Sequence, residues 1–122
     1  MAKFEELTDN RGSITKCQIN GVQVNMLFTK KGSMRGGDIH PVKQYDVILS
    51  GTFKITLRDT STKSNPKDIV ITKNANDFIT IPPDVPHLFK SVTDTTMIEW
   101  WEGGRFPAGT KYYEPYRRLV KV

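Results

Sequence analysis

The chain has 122 residues, 37% hydrophobic and 25% charged, with a formal net charge of +5 and a pI near 9.4. That length builds one hydrophobic core rather than two, and no apolar run approaches the roughly 20 residues of a membrane span. The opening residues carry no signal-peptide pattern and the lone Cys17 excludes an internal disulfide, so a cytoplasmic protein with no membrane partner is expected. Cys17 also lacks a second cysteine for zinc and reads as a packed thiol. The positive balance favours an anionic small-molecule ligand. Nucleic acid is not expected, because the basic residues are scattered rather than clustered with aromatics.

Strand-like runs between regular punctuation fill the sequence. Val22–Thr29 alternates and is broken by Lys30-Lys31-Gly32-Ser33, which predicts a strand and an exposed hairpin tip. Tyr45–Ser50 and Thr52–Arg58 flank Gly51, and both are rich in β-forming residues. A polar loop is expected over Ser61–Lys67. Asp68–Thr72 and Phe78–Ile81 follow, separated by Lys73-Asn74-Ala75-Asn76, and then Leu88–Val92 and Thr96–Trp101, split at Thr93-Asp94. No stretch sustains a helical period with caps. Short strands so spaced predict an all-β protein, a sandwich or barrel. From Gly103 the composition changes to Gly, Pro, Arg and three tyrosines, which predicts a tail that packs back or reaches a neighbour.

The two histidines fall at informative places. His40 follows Gly37-Asp38-Ile39 and precedes Gln44, and His87 closes the Pro-rich run Ile81-Pro82-Pro83-Asp84-Val85-Pro86. Asp38, His40 and Gln44 share parity, so on one extended strand they would face the same side. Two imidazoles, a carboxylate and an amide suit either a divalent metal or an acid–base pocket.

The spacing Asp38-x-His40-x3-Gln44-x6-Gly51, followed by Pro82-x-Asp84-x2-His87, resembles the two motifs of the cupin superfamily. The resemblance implies one cupin domain over residues 1–122, a small β-barrel or jelly roll with its core at about 22–102 and a tail at 103–122. Three functional positions depart from the cupin pattern: Asp38 stands for a His, Gln44 for a Glu and Asp84 for the turn Gly. Asp9-Asn10-Arg11-Gly12-Ser13, Met34-Arg35-Gly36 and Tyr112-Tyr113-Glu114-Pro115-Tyr116-Arg117-Arg118 are similar to the nucleotide-sugar branch, which holds dTDP-sugar 3,4-ketoisomerases and dTDP-4-dehydrorhamnose 3,5-epimerases.

That branch implies an isomerase or epimerase of a keto-sugar nucleotide, with His40, His87 and Asp38 as catalytic groups and His40 as general base. Arg11 and Arg35 would clamp the diphosphate, and Gln44 and Tyr45 would also touch substrate. Tyr112, Tyr113 and Tyr116 are further candidates for returning a proton. The alternatives are a cupin enzyme that acts on a small carboxylate or sugar acid, and a non-catalytic binding cupin. In the former, one divalent metal (Fe, Mn, Ni or Zn) is held by Asp38, His40, Gln44 and His87; no other cofactor is expected. A homodimer is expected, since small barrels leave apolar faces that a second copy covers. Trp100 and Trp101 lie on a late strand apolar on both faces and suit packing in the core or at such an interface.

Overall fold

The computed structural model describes residues 2–61 and 64–122. The strands in chain order are β1 (Ala2–Asp9), β2 (Gly12–Ile19), β3 (Val22–Thr29), β4 (Met34–Ile39), β5 (Gln44–Ser50) and β6 (Thr52–Asp59). They continue as β7 (Lys67–Asn74), β8 (Phe78–Ile81), β9 (His87–Ser91), β10 (Thr95–Trp101) and β11 (Lys111–Tyr112), before one helical turn, α1 (Glu114–Arg117). All the predicted strands are present, with ends moved by one or two residues. Part of the predicted polar loop, Thr62 and Lys63, lies outside the described residues.

The strands form two antiparallel sheets, ordered β1-β2-β3-β10-β5-β8 and β11-β4-β9-β6-β7. Alternation sends one face of each strand into the space between the sheets. There Leu27, Ile48, Ile79, Ile81 and Met97 of the first sheet meet Phe53, Ile55 and Phe89 of the second. Phe53 and Phe89 pack edge to face at 5.5 Å, an arrangement worth about 0.5–1.5 kcal/mol beyond burial. The core reaches further upstream than residue 22: β1 and β2 extend the six-stranded sheet, and Ile14 packs against the core.

The register across the six-stranded sheet separates an apolar end from a polar one. Met97 lies between Leu27 and Ile48, whereas Glu99, one inward position further along β10, lies between Asn25 and Asp46. The next inward residue, Trp101, lies opposite Gln44. Polar side chains thus collect at one mouth, above a packed apolar floor.

Three backbone features position that mouth. Gly51 carries the chain from β5 in one sheet to β6 in the other; its φ is +86°, and a Cβ there would overlap the Asp94 carbonyl oxygen. A bulge interrupts β4 against β9, where Gly36 opposes Leu88 but Asp38 opposes His87. The skipped residue reverses the alternation, so Arg35 and Asp38 both face inward. Finally, the tail packs back over the five-stranded sheet. Tyr116 and Val120 bury Leu88, β11 pairs with β4, and the Tyr113 N–H donates to Gly37 O at 2.7 Å.

The predicted face shared by Asp38, His40 and Gln44 has a different origin from simple parity. β4 stops at Ile39, a turn spans 40–43, and β5 begins at Gln44 in the other sheet. The three residues meet across the corner between the sheets, not along one strand.

Candidate active site

The polar mouth opens into a cavity of about 800 Å³, lined by residues of both sheets, the N-terminal hairpin and the tail. That volume lies within the usual range for small-molecule sites. Asp38 and His87 stand at its wall and His40 is buried beside them, with one donor atom of each within 4.8 Å of the others. The two imidazole centroids are 5.1 Å apart.

The hydrogen bonds fix both tautomers. His87 Nδ1 lies 3.1 Å from Val85 O; a carbonyl only accepts, so Nδ1 carries the proton. His40 Nδ1 lies 2.8 Å from Thr110 Oγ1, and that hydroxyl donates its own hydrogen to Pro107 O at 2.8 Å. Thr110 must therefore accept from His40, which places that proton on Nδ1 as well. In both rings the lone pair then lies on Nε2, with the Gln44 side chain a further hydrogen-bonding neighbour of His40. Burial pushes each imidazole pKa down to about 4, so both rings are neutral near pH 7 and able to take a proton or bind a cation.

Asp38 is under the opposite strain. Burial raises its pKa to about 6, against the pull of Arg117 and Arg11, and Oδ1 is buried without a hydrogen-bond partner among the described residues. Two neutral imidazoles and an unpartnered carboxylate oxygen form a donor set that fits a divalent cation. The Nδ1 bonds to Thr110 and Val85 are the outer contacts that orient such ligands.

Gln44 reaches the cavity, but its amide is engaged: Oε1 accepts from Trp101 Nε1 at 3.2 Å, and Nε2 donates to Asp46 at 3.1 and 3.3 Å. It is thus held as a spacer between the indole and a buried carboxylate, which speaks against its expected role as a fourth ligand. Tyr45 is not at the site. It projects from the outer face of β5, stacked on Trp100 at 5.7 Å and beside Phe78.

Arg11 and Arg35 both line the cavity, yet each is already occupied in part. Arg11 donates through Nε and Nη2 to Asp9, whose pKa falls to about 2 mainly through that bond. Arg35 is buried, with Nε on Thr29 Oγ1 and Nη2 on the Ser13 and Phe28 carbonyls, and burial lowers its pKa to about 10. Arg117 joins them from the tail, with Nη1 on Gly36 O and its guanidinium over the Tyr112 ring. Tyr113 and Tyr116 instead hold Arg58 and Asp68 on the outside of the five-stranded sheet.

Sequence reasoning missed four residues here: Glu99, Asn25, Thr110 and Arg117. Glu99 was recoverable, since it falls on the inward parity of Met97 and Trp101. Thr110 and Arg117 depend on how the tail folds back, which no local pattern encodes.

Comparison with solved structures fits this architecture. The capsular polysaccharide assembling protein CapF from Staphylococcus aureus superposes with a TM-score of 0.72 at 21% identity, over 90% of this chain and 34% of that one. CapF with the inhibitor 3-isopropenyl-tropolone gives the same values. Oxalate decarboxylase from Bacillus subtilis superposes with a TM-score of 0.77 at 13% identity, over 90% of this chain and 30% of that one. This chain thus spans about a third of the length of those proteins. No family model and no curated protein matches the sequence. The fold is that of the cupins, a single jelly roll with its candidate site in the lumen. Among the described residues, no helix is long and apolar enough to cross a membrane.

Proposed function

We propose that this cupin is an isomerase or epimerase of a keto-sugar nucleotide, in which His40 removes the proton beside the ketone. The observation that carries the reading is the fixed, neutral His40: Thr110 holds its Nδ1 proton, which leaves Nε2 as the base in a ring grouped with Asp38 and His87. The guanidinium groups of Arg11, Arg35 and Arg117 give the cavity an affinity for an anionic ligand. CapF, described as assembling a capsular polysaccharide, supports a sugar-type substrate. A cytoplasmic location is part of the same proposal, supported by the single cysteine.

The test is hydrogen exchange. In D2O, wild-type protein is expected to exchange the acidic carbon-bound hydrogen of a dTDP-linked 4-keto sugar. His40→Asn should slow that exchange about 100-fold or more while binding holds within a few-fold. Wild-type protein that binds the nucleotide sugar without exchange would be a binding module.

A second reading is favoured by the unpartnered Asp38 Oδ1. A divalent cation held by Asp38, His40 and His87 would act as a Lewis acid on a carbonyl or carboxylate oxygen. One neighbour is an oxalate decarboxylase, and another takes a tropolone, a ring whose adjacent oxygens chelate metals. Metal analysis of protein purified without a histidine tag separates the readings: stoichiometric Fe, Mn, Ni or Zn, lost in Asp38→Asn, selects the second.

We further infer a homodimer through the outer face of the six-stranded sheet. Tyr45, Phe78 and Trp100 cluster there, and Phe78, Met26 and Leu49 are exposed. Sedimentation of wild type and Trp100→Glu checks it, with a monomeric variant expected.

A further inference from the structure

The lumen holds a carboxyl group that neither reading uses. Glu99 projects inward from β10 and lines the cavity with Asp38 and His87. Its Oε1 accepts from Asn25 Nδ2 at 3.2 Å, and Asn25 is itself oriented by Gln23, whose Nε2 donates to Asn25 Oδ1 at 3.2 Å. Among the described residues, no group bonds Oε2, which is left for whatever enters. Asp46 lies in register beside Glu99 but turns to Gln44, which donates to both its oxygens. The Glu99 carboxyl is thus positioned at one oxygen and free at the other.

We propose that Glu99 is a second catalytic residue of this cavity, carrying a proton between the two oxygens of a keto sugar while His40 serves the carbon. The proposal rests on the proton-transfer reading of His40 and narrows it to isomerisation. As the carbon-bound proton leaves to His40, the C–H electron pair becomes the new C=C bond. The protonated Glu99 gives its proton to the carbonyl oxygen, which yields an enediol. Glu99, now a carboxylate, takes the proton of the neighbouring hydroxyl as that oxygen becomes the new carbonyl. The C=C electrons capture the proton returned by His40 at the former carbonyl carbon. Both residues end as they began, and the ketone has moved by one carbon.

The environment of Glu99 suits both of its forms. Burial raises its pKa to about 7, while the Asn25 amide and the charge of Arg35 hold it from rising further. A carboxyl so placed gives and takes a proton near neutral pH with little driving-force penalty. An epimerisation needs no such carrier, because it returns the proton to the same carbon and leaves the carbonyl where it was.

The experiment follows a dTDP-linked 4-keto sugar in D2O and reads two rates by NMR, carbon-bound exchange and formation of the shifted ketone. In wild type both are expected, at comparable rates. Glu99→Gln keeps the shape and the contact with Asn25 but cannot carry the proton. It should raise the ratio of exchange to isomer at least tenfold, and that ratio is independent of how much of the variant is folded. Glu99→Asp, which withdraws the carboxyl by one methylene, should raise the ratio less and serves if the Gln variant does not fold. An unchanged ratio in the folded variants overturns the role of Glu99 and leaves His40 as base. Wild-type exchange without any shifted ketone overturns it too, and points to epimerisation. Wild-type protein with neither rate overturns both proposals together.

Discussion

The backbone N–H of Asp84 donates to the carbonyl of His40 at 2.8 Å, so the turn that delivers one site histidine is tied to the other. Asp84 adopts φ +62°, in the left-handed region, where the cupin pattern resembled by this sequence carries glycine. Aspartate tolerates that region better than most residues, at a cost of order 1 kcal/mol. Asp84→Gly should therefore hold or raise stability by up to about 1 kcal/mol, while Asp84→Val should lose about 1–2 kcal/mol. Urea denaturation of the two variants decides it, and equal stabilities would refute the strain argument.

Thr110 should matter to His40 through one proton. Thr110→Val removes the acceptor of the Nδ1 hydrogen and frees the ring to change tautomer, whereas Thr110→Ser keeps it. Loss of such an outer contact typically costs about 10–100-fold in activity or metal affinity. Imidazole nitrogen chemical shifts should report a mixed tautomer in Thr110→Val alone. Unchanged shifts in that variant would show that the hydroxyl does not set the tautomer.

Gly37 should be intolerant of any side chain. Its φ is +76°, and a Cβ would stand 2.8 Å from Arg117 Cα, in the tail. Gly37→Ala is expected to loosen the tail by about 1–3 kcal/mol through combined backbone strain and overpacking. Hydrogen exchange should show faster amides at Tyr113, Tyr116 and Arg117 with β3 and β10 unaffected; uniform loss of protection would argue against a local effect.

Stability should depend on pH with two opposing parts. His40 and His87 are held near 4, below the ordinary 6.5, so the unfolded chain binds more protons as pH falls through that window and their stabilising share is lost there. Glu99 is displaced the other way, from 4.5 to about 7, so the folded protein binds the extra proton and the cost of ionising Glu99 grows as pH rises from 4.5 to 7. Asp38 and Asp46 are displaced in the same direction by burial, so Glu99→Gln removes only Glu99's share of the second part. Its stability relative to wild type should therefore improve between pH 5 and pH 8, measured by denaturant unfolding; an offset constant with pH would contradict the assignment.

Strands β3 and β5 to β10 were legible because alternation and punctuation are local, whereas β1, β2, β4 and β11 were not foreseen. Leu27, Ile48, Phe53 and Met97 declare the core by parity alone, and Gly51 marks the crossing between sheets. His40 and His87 were legible from motif spacing, and Asp38 with them. The shared face of Asp38, His40 and Gln44 was anticipated for the wrong reason, since a corner between sheets and not a continuous strand brings them together. Tyr45 was misplaced because the sequence window did not respect its parity: Gln44 and Asp46 turn inward and Tyr45 between them turns out. Arg11 and Arg35 lie at the cavity, but their bonds to Asp9, Thr29 and backbone carbonyls are tertiary facts that no spacing reveals.

The Gly36–Gly37 bulge makes β4 a strand with a change of phase. Ahead of it, odd positions look into the lumen and Arg35 braces the interior; beyond it, an even position does so and Asp38 joins the histidines. Were the same residues paired without the bulge, with Gly37 rather than Asp38 opposite His87, a uniform beat would rotate Asp38 toward the outside, leaving the apolar floor of Phe53, Phe89 and Met97 in place. The fold would survive as a container whose reactive wall had turned its back. Stability and chemistry are thus written in separate residues, and the offset pairing of one short stretch, rather than the identity of any acid or base, keeps them synchronised.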